Sequence, residues 1–160
     1  MGRPVVRAPV LDFGQALDFV RDSRARGLKI VFTNGCFDII HPGHLEILEK
    51  AASFGDVLVV GLNTDGSVRR LKGSGRPVQS LAGRAAVLSC LRFVDCVVPF
   101  DADTPLELIA LLLPDVLVKG GDYTPETVVG AVEVLGSGGR VEIVPLLSGY
   151  STTGLLKGIE

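Results

Sequence analysis

His41 and His44 are the two histidines of the chain, and they stand three residues apart just after a short apolar run. Lys29-Ile30-Val31-Phe32 reads as a buried strand that ends at a turn signal. Pro42 suits the first position of a helix, where its missing N–H would have no partner anyway. Leu45, Leu48 and Ala52 then recur at helical spacing, which places a helix over 42–54. Residues i and i+3 share one face, so both imidazoles sit on the first turn. Gly43 between them has no side chain to keep a ligand off. A helix N-terminus offers free N–H groups and a positive dipole end, a seat for phosphate. Two imidazoles there can donate hydrogen bonds to phosphate oxygens as charge builds in a reaction. Two other readings stand beside this one: metal ligation with Cys36, although the spacing fits no common zinc pattern and lacks a fourth ligand, and a structural cap on a buried helix.

The elements that must hold these residues alternate along the chain. Apolar strand-like runs occur at 28–33, 57–62, 94–99, 115–118 and 141–144. Amphipathic helical patterns occupy 14–26, 42–54, 84–92, 104–113 and 126–135, with a last short one after Ser151, while 1–10 look loose. Continuous apolar strands alternating with helices imply a parallel sheet covered on both faces. The expectation is an α/β fold, a Rossmann-like, doubly wound, parallel five-stranded sheet in a single domain over 28–160, behind an extension and leading helix at 1–27. Ligands in such sheets sit beyond the carboxyl ends of the strands. No GxxxxGK[ST] occurs and no GxGxxG follows the first strand, which disfavours a P-loop kinase and an ordinary NAD-linked dehydrogenase. Gly136-Ser137-Gly138-Gly139 reads as a turn.

At 160 residues, 47% apolar and 21% charged, the chain is long and apolar enough for a proper core. A net charge of −2 makes no case for nucleic-acid binding. No apolar run reaches the length of a membrane span and no signal peptide is evident. Cys36, Cys90 and Cys96 form no CxxC pair, and reduced thiols in the cytoplasm are the simplest reading.

Four further segments bear chemistry. Leu71-Lys72-Gly73-Ser74-Gly75-Arg76-Pro77-Val78 reads as a basic, Gly-rich mobile loop, either a plain solvated connection or, beside a phosphate site, a source of positive charge in Lys72 and Arg76. Arg84 opens a helix, a place where most arginines are solvated. Lys119-Gly120-Gly121-Asp122-Tyr123 follows the fourth strand. Its glycines would admit a flat ligand close to the backbone, and Asp122 would accept from a ribose or base, or cap the next segment. Ser151-Thr152-Thr153 precedes the last helix, where one hydroxyl is explained by ordinary N-capping and three offer a second phosphate contact.

Thr33-Asn34-Gly35-Cys36-Phe37-Asp38-Ile39-Ile40-His41-Pro42-Gly43-His44 resembles the GxFDxxHxGH signature of the HxGH-motif nucleotidylyltransferases, relatives of the class I aminoacyl-tRNA synthetases. The resemblance covers about 28–160 with the motifs in order. KGGDY is narrower and is similar to the heptose-phosphate branch, including the C-terminal domain of the bifunctional kinase/adenylyltransferase. Asn63-Thr64-Asp65, Arg69 to Gly73, Arg76-Pro77-Val78 and Asp103-Thr104-Pro105 also look like that branch. The resemblance implies ATP, D-glycero-D-manno-heptose 1-phosphate and Mg²⁺, and a homodimer. It implies catalytic roles for His41, His44, Lys72 and Arg84. Nucleotide contacts are implied at Thr33, Asn34, Gly35, Phe37, Gly43, Lys119, Gly120, Asp122, Ser151, Thr152 and Thr153, and substrate contacts at Asp38, Asn63, Asp65 and Arg76. Two positions depart from the wider family: Gly83 stands where an acid usually precedes the arginine, and Leu146-Leu147 replace the Arg-Thr pair of the glycerol-phosphate and ethanolamine-phosphate cytidylyltransferases. Those enzymes, a pantetheine-phosphate or FAD-type adenylyltransferase, and a nucleotide sensor without turnover remain the alternatives.

Overall fold

The computed structural model describes residues 6–147, 149, 150, 152 and 154. Five strands, β1 (Ile30–Gly35), β2 (Val57–Asn63), β3 (Cys96–Phe100), β4 (Val116–Gly120) and β5 (Arg140–Val144), form one sheet in the order β3-β2-β1-β4-β5. Every pairing is parallel, as expected from the strand and helix alternation. Alternate residues of one strand feed opposite cores. Ile30 and Phe32 join Ala16, Val20, Leu108 and Leu112 on one face, from α1 (Phe13–Ala25) and α5 (Leu106–Leu112). Val31 joins Leu48, Ala85 and Leu88 on the other, from α2 (Pro42–Ala52) and α4 (Leu81–Ser89). Asp56, Asp95 and Asp115 close the strand starts, accepting from the N–H groups of Lys29, Leu58 and Ile30 at 2.7–2.8 Å.

The structure departs from the sequence reading in four places. Leu71 and Lys72 belong not to a mobile loop but to the end of a helix, α3 (Asp65–Lys72), which Thr64 caps by accepting from Ser67 N–H. Its Gly, Ser and paired arginines present almost no apolar stripe, which hides it from periodicity. The fourth helix begins at Leu81 rather than 84, capped by Ser80, so Arg84 lies inside it. The helix expected over 126–135 breaks into a 3₁₀ turn, Pro125–Thr127, and α6 (Ala131–Gly136). Gly130 makes the break with φ 88°, and a Cβ there would lie 2.7 Å from Ile109. Finally, residues 8–11 are not loose but run along β3, with Val97 N–H donating to Pro9 and Leu11 N–H to Val97, both at 2.9 Å.

Candidate active site

The carboxyl ends of β1, β2 and β4 open into a cavity of about 610 Å³. β1 lies between β2 and β4, so the cavity sits where the strand order reverses, the binding position of open α/β sheets. His41 is the N-cap residue of α2 and His44 follows in its first turn. Their rings stack with centroids 3.8 Å apart and an interplanar angle of 21°. Phe37 tilts against His44 at 5.2 Å. Nδ1 of each histidine is buried with no hydrogen-bond partner among the described residues. Burial lowers the pKa of His41. Burial, with the neighbouring His41, brings His44 down to about 4. A backbone hydrogen bond with Ile39 opposes the shift at His44 without reversing it. Both rings are therefore neutral near pH 7, and the Nδ1 of each is open to a ligand as far as the described residues go. Gly43 makes room for this stack, since a Cβ there would lie 3.1 Å from the His41 ring.

Cations surround the pair. Lys72, exposed at the end of α3, lines the cavity and forms no ion pair among the described residues. Lys119 Nζ donates to Asn34 Oδ1 at 3.5 Å and lies 5.8 Å from the centre of the Tyr123 ring. Burial lowers its pKa, opposed by Cys36 and assisted by Lys72. Burial also pushes the Cys36 thiol up, against the pull of Lys72, Arg84 and Arg76.

Asp38, 1% exposed, fastens the loop after α3. Its carboxylate accepts from Arg76 Nε at 2.6 Å and from the N–H groups of Val78 and Gln79 at 2.9 Å. Gln79 Nε2 returns a bond to the Asp38 carbonyl at 2.9 Å. Burial alone would raise the Asp38 pKa, but the bonds from Gln79, Val78 and Arg76 outweigh it and hold the carboxyl below its ordinary value.

Residues 32–153, most of the chain, match the cytidylyltransferase-like family. The chain belongs to the cytidylyltransferase-like family. It is a nucleotidyltransferase of that family, and three bacterial relatives named bifunctional protein HldE carry the comparison further. That of Hyphomonas neptunium is 56% identical over 98% of this chain, that of Histophilus somni 52% over 99%, and that of Geobacter metallireducens 59% over 88%. The chain spans 29–34% of the length of those relatives, about a third. Among solved structures, the lipopolysaccharide core biosynthesis protein of Thermoplasma volcanium aligns with TM-score 0.60 and 29% identity, over 78% of this chain and 100% of that one. Pantoate-beta-alanine ligase of Francisella tularensis, complexed with beta-gamma ATP and beta-alanine, shares the fold with TM-score 0.63 and 16% identity, over 94% of this chain and 76% of that one.

Within this cytidylyltransferase-like domain the cavity brings together most of the residues singled out in the sequence. Asn34, Gly35, Phe37, Asp38, His41, Gly43 and His44 come from β1 and the turn into α2. Asn63, Lys72, Arg76, Lys119 and Thr152 complete the wall. Ser151 and Thr153 lie outside the described residues, as does the last helix apart from Thr152 and Gly154.

Five positions are placed differently. Thr33 is buried within β1 and Asp122 is exposed, and neither lines the cavity. Gly120 admits Ile47 rather than a flat ligand: a Cβ there would collide with Ile47 Cδ1. Asp65 pairs with Arg84 Nη2 at 2.7 Å instead of facing substrate. Arg84 is 1% exposed, lies behind the cavity wall and donates to protein acceptors, not into the cavity. Gln79 and Tyr150 escaped the sequence reading. Gln79 meets Asp38 across 41 residues, and Tyr150 lies 6.4 Å from His41, so neither had a local signal.

Among the described residues no three His, Cys, Asp or Glu side chains converge. Asp38 is engaged by Arg76, Asp65 by Arg84 and Asp103 by Arg70. No helix among the described residues is long and apolar enough to cross a membrane.

Proposed function

We propose that this nucleotidyltransferase is a cytoplasmic enzyme that transfers the adenylyl group of ATP to D-glycero-D-manno-heptose 1-phosphate, giving ADP-heptose and pyrophosphate. A sugar-phosphate oxygen forms the new bond to the α-phosphorus. The bond from that phosphorus to the bridging oxygen breaks, and its electron pair leaves with pyrophosphate. A phosphate monoester is already ionised near pH 7, so the site needs positioning and charge stabilisation rather than a strong base. The observation that carries this reading is the pair of buried Nδ1 atoms of His41 and His44 at the open end of the sheet, which have no partner among the described residues.

His41 and His44 hold the α/β-phosphate region, and Lys72 meets the charge developing on pyrophosphate. Lys119 and Thr152 reach the nucleotide from the β4 side and from the last helix. Arg76, its Nε held by Asp38, directs the rest of its guanidinium toward the sugar phosphate. Mg²⁺ accompanies the triphosphate, which carries the oxygens that a hard cation prefers. The heptose acceptor is supported by the KGGDY resemblance and the relatives at 52–59% identity. The adenine choice is supported by the resemblance to the heptose-phosphate branch, and Leu146-Leu147, where the glycerol-phosphate and ethanolamine-phosphate cytidylyltransferases usually carry Arg-Thr, tells against those enzymes.

The test measures pyrophosphate release, crossing ATP and CTP with the α and β anomers of heptose 1-phosphate and with glycerol 3-phosphate. Release with ATP and one heptose anomer is the expected result. Release with CTP and glycerol phosphate would overturn it, and ATP binding without turnover on any acceptor would favour the sensor.

A further inference from the structure

Arg84 has no exposed side-chain surface, yet it is the most heavily hydrogen-bonded cation of the site. Nη1 donates to the Cys36 and Asn63 carbonyls, each at 2.7 Å. Nε donates to the Gln79 carbonyl at 3.1 Å, and Nη2 to Asp65 Oδ1 at 2.7 Å. Four of the five guanidinium N–H groups are thus taken. The bonds tie the carboxyl ends of β1 and β2 to the starts of α3 and α4. For Arg84 to reach a phosphate, it would have to leave buried carbonyls without donors, a costly exchange.

Its bond to Cys36 has a directional consequence. In a planar trans peptide the C=O and the following N–H point in opposite directions. The Cys36 carbonyl is turned inward to Arg84, so the Phe37 N–H points the opposite way, and both Cys36 and Phe37 line the cavity. That N–H finds no acceptor among the described residues. Phe37 also has φ 44°, a left-handed conformation that a bulky side chain adopts only when its surroundings impose it. Two contacts impose it here. Arg84 fixes the peptide before it, and Gly35 leaves space for its ring, with a Cβ at Gly35 falling 3.0 Å from Phe37.

We infer that Arg84 is a positioning residue that aims the Phe37 N–H at the transferring phosphate, so that a backbone donor joins His41 and His44 in the cradle. The assignment rests on the nucleotidyl-transfer reading, but not on the identity of the acceptor.

The test titrates ¹⁵N-labelled full chain with inorganic pyrophosphate. The Phe37 amide resonance is expected to move downfield while the Arg84 Nε–H resonance stays in place. Movement of Arg84 Nε–H with a still Phe37 amide would make Arg84 a direct ligand and overturn the inference. If pyrophosphate perturbs no cavity residue, the nucleotidyl-transfer reading falls with it; if it perturbs the histidines but not Phe37, only this inference falls. In Arg84→Lys, the Phe37 response is expected to vanish and kcat to fall about 10²-fold, with KM for ATP within about threefold. Unchanged kcat with a tenfold higher KM would overturn it. If that variant does not fold, the titration of the unaltered chain still decides.

Discussion

His41 and His44 stack face to face with ring centroids 3.8 Å apart, each leaving a buried Nδ1 without a partner among the described residues. Two stacked imidazoles cannot both be protonated cheaply when empty, because each would face the other's charge inside a partly desolvated site. An anion seated across both edges removes that conflict. The pair is thus built to gain hydrogen-bonding capacity, and positive charge, as phosphate charge arrives.

His44 has its pKa lowered from 6.5 to about 4, and that of His41 is lowered as well. The unfolded chain therefore binds more protons than the native one as pH falls below about 6.5, and stability declines through that window toward pH 4 before levelling. Thermal melts from pH 7.5 to 4 should show this decline, and His44→Ala should flatten it. The same variant should lose about 10²–10³ in turnover, as removal of a preorganised donor does. Pyrophosphate binding near pH 6 should take up protons, read by calorimetry in buffers of different ionisation enthalpy; no uptake would mean that the rings stay neutral in the complex.

Lys72 is exposed and lines the cavity without an ion-pair partner among the described residues. Lys72→Ala should leave stability within about 0.5 kcal/mol and lower kcat/KM by about 10²-fold. Urea unfolding and initial rates check the two parts separately. Full activity would remove Lys72 from the site.

Asp38 holds Arg76, Val78 and Gln79 from a position 1% exposed. Asp38→Ala should cost about 3 kcal/mol, because it strands a largely buried guanidinium and two backbone donors. It should also raise protease sensitivity between Gly73 and Gln79. Unchanged urea unfolding would show that the loop is held by other means.

Gly43→Ala separates stability from function. A helix gains about 1 kcal/mol from alanine over glycine, but the new Cβ would sit 3.1 Å from the His41 ring. The variant should melt at or above the parent temperature while kcat falls about tenfold from the displaced ring. A parallel loss of both would point to a packing defect instead.

The alternation of strands and helices along the chain was legible because its signals are local. β-branched runs make continuous buried strands, Pro42 opens a helix, and two histidines at i and i+3 share its first turn. Those features alone implied a parallel α/β sheet with a phosphate site after β1. α3 was hidden because its charged sequence gives no apolar stripe, although Thr64 caps it. The roles of Arg84, Asp38 and Gly120 were decided only by tertiary structure. A guanidinium within α4 looks the same in sequence whether it faces solvent, phosphate or protein. The Cys36 and Asn63 carbonyls that claim it are 48 and 21 residues away. Gly120 likewise suggested room for a ligand until Ile47, brought over by α2, filled it. Residue type and spacing determined which chemistry the chain carries; the packing of α3 and α4 against the ends of β1 and β2 decided which cations reach the cavity, because a buried donor goes to whichever acceptor the fold leaves unpaired.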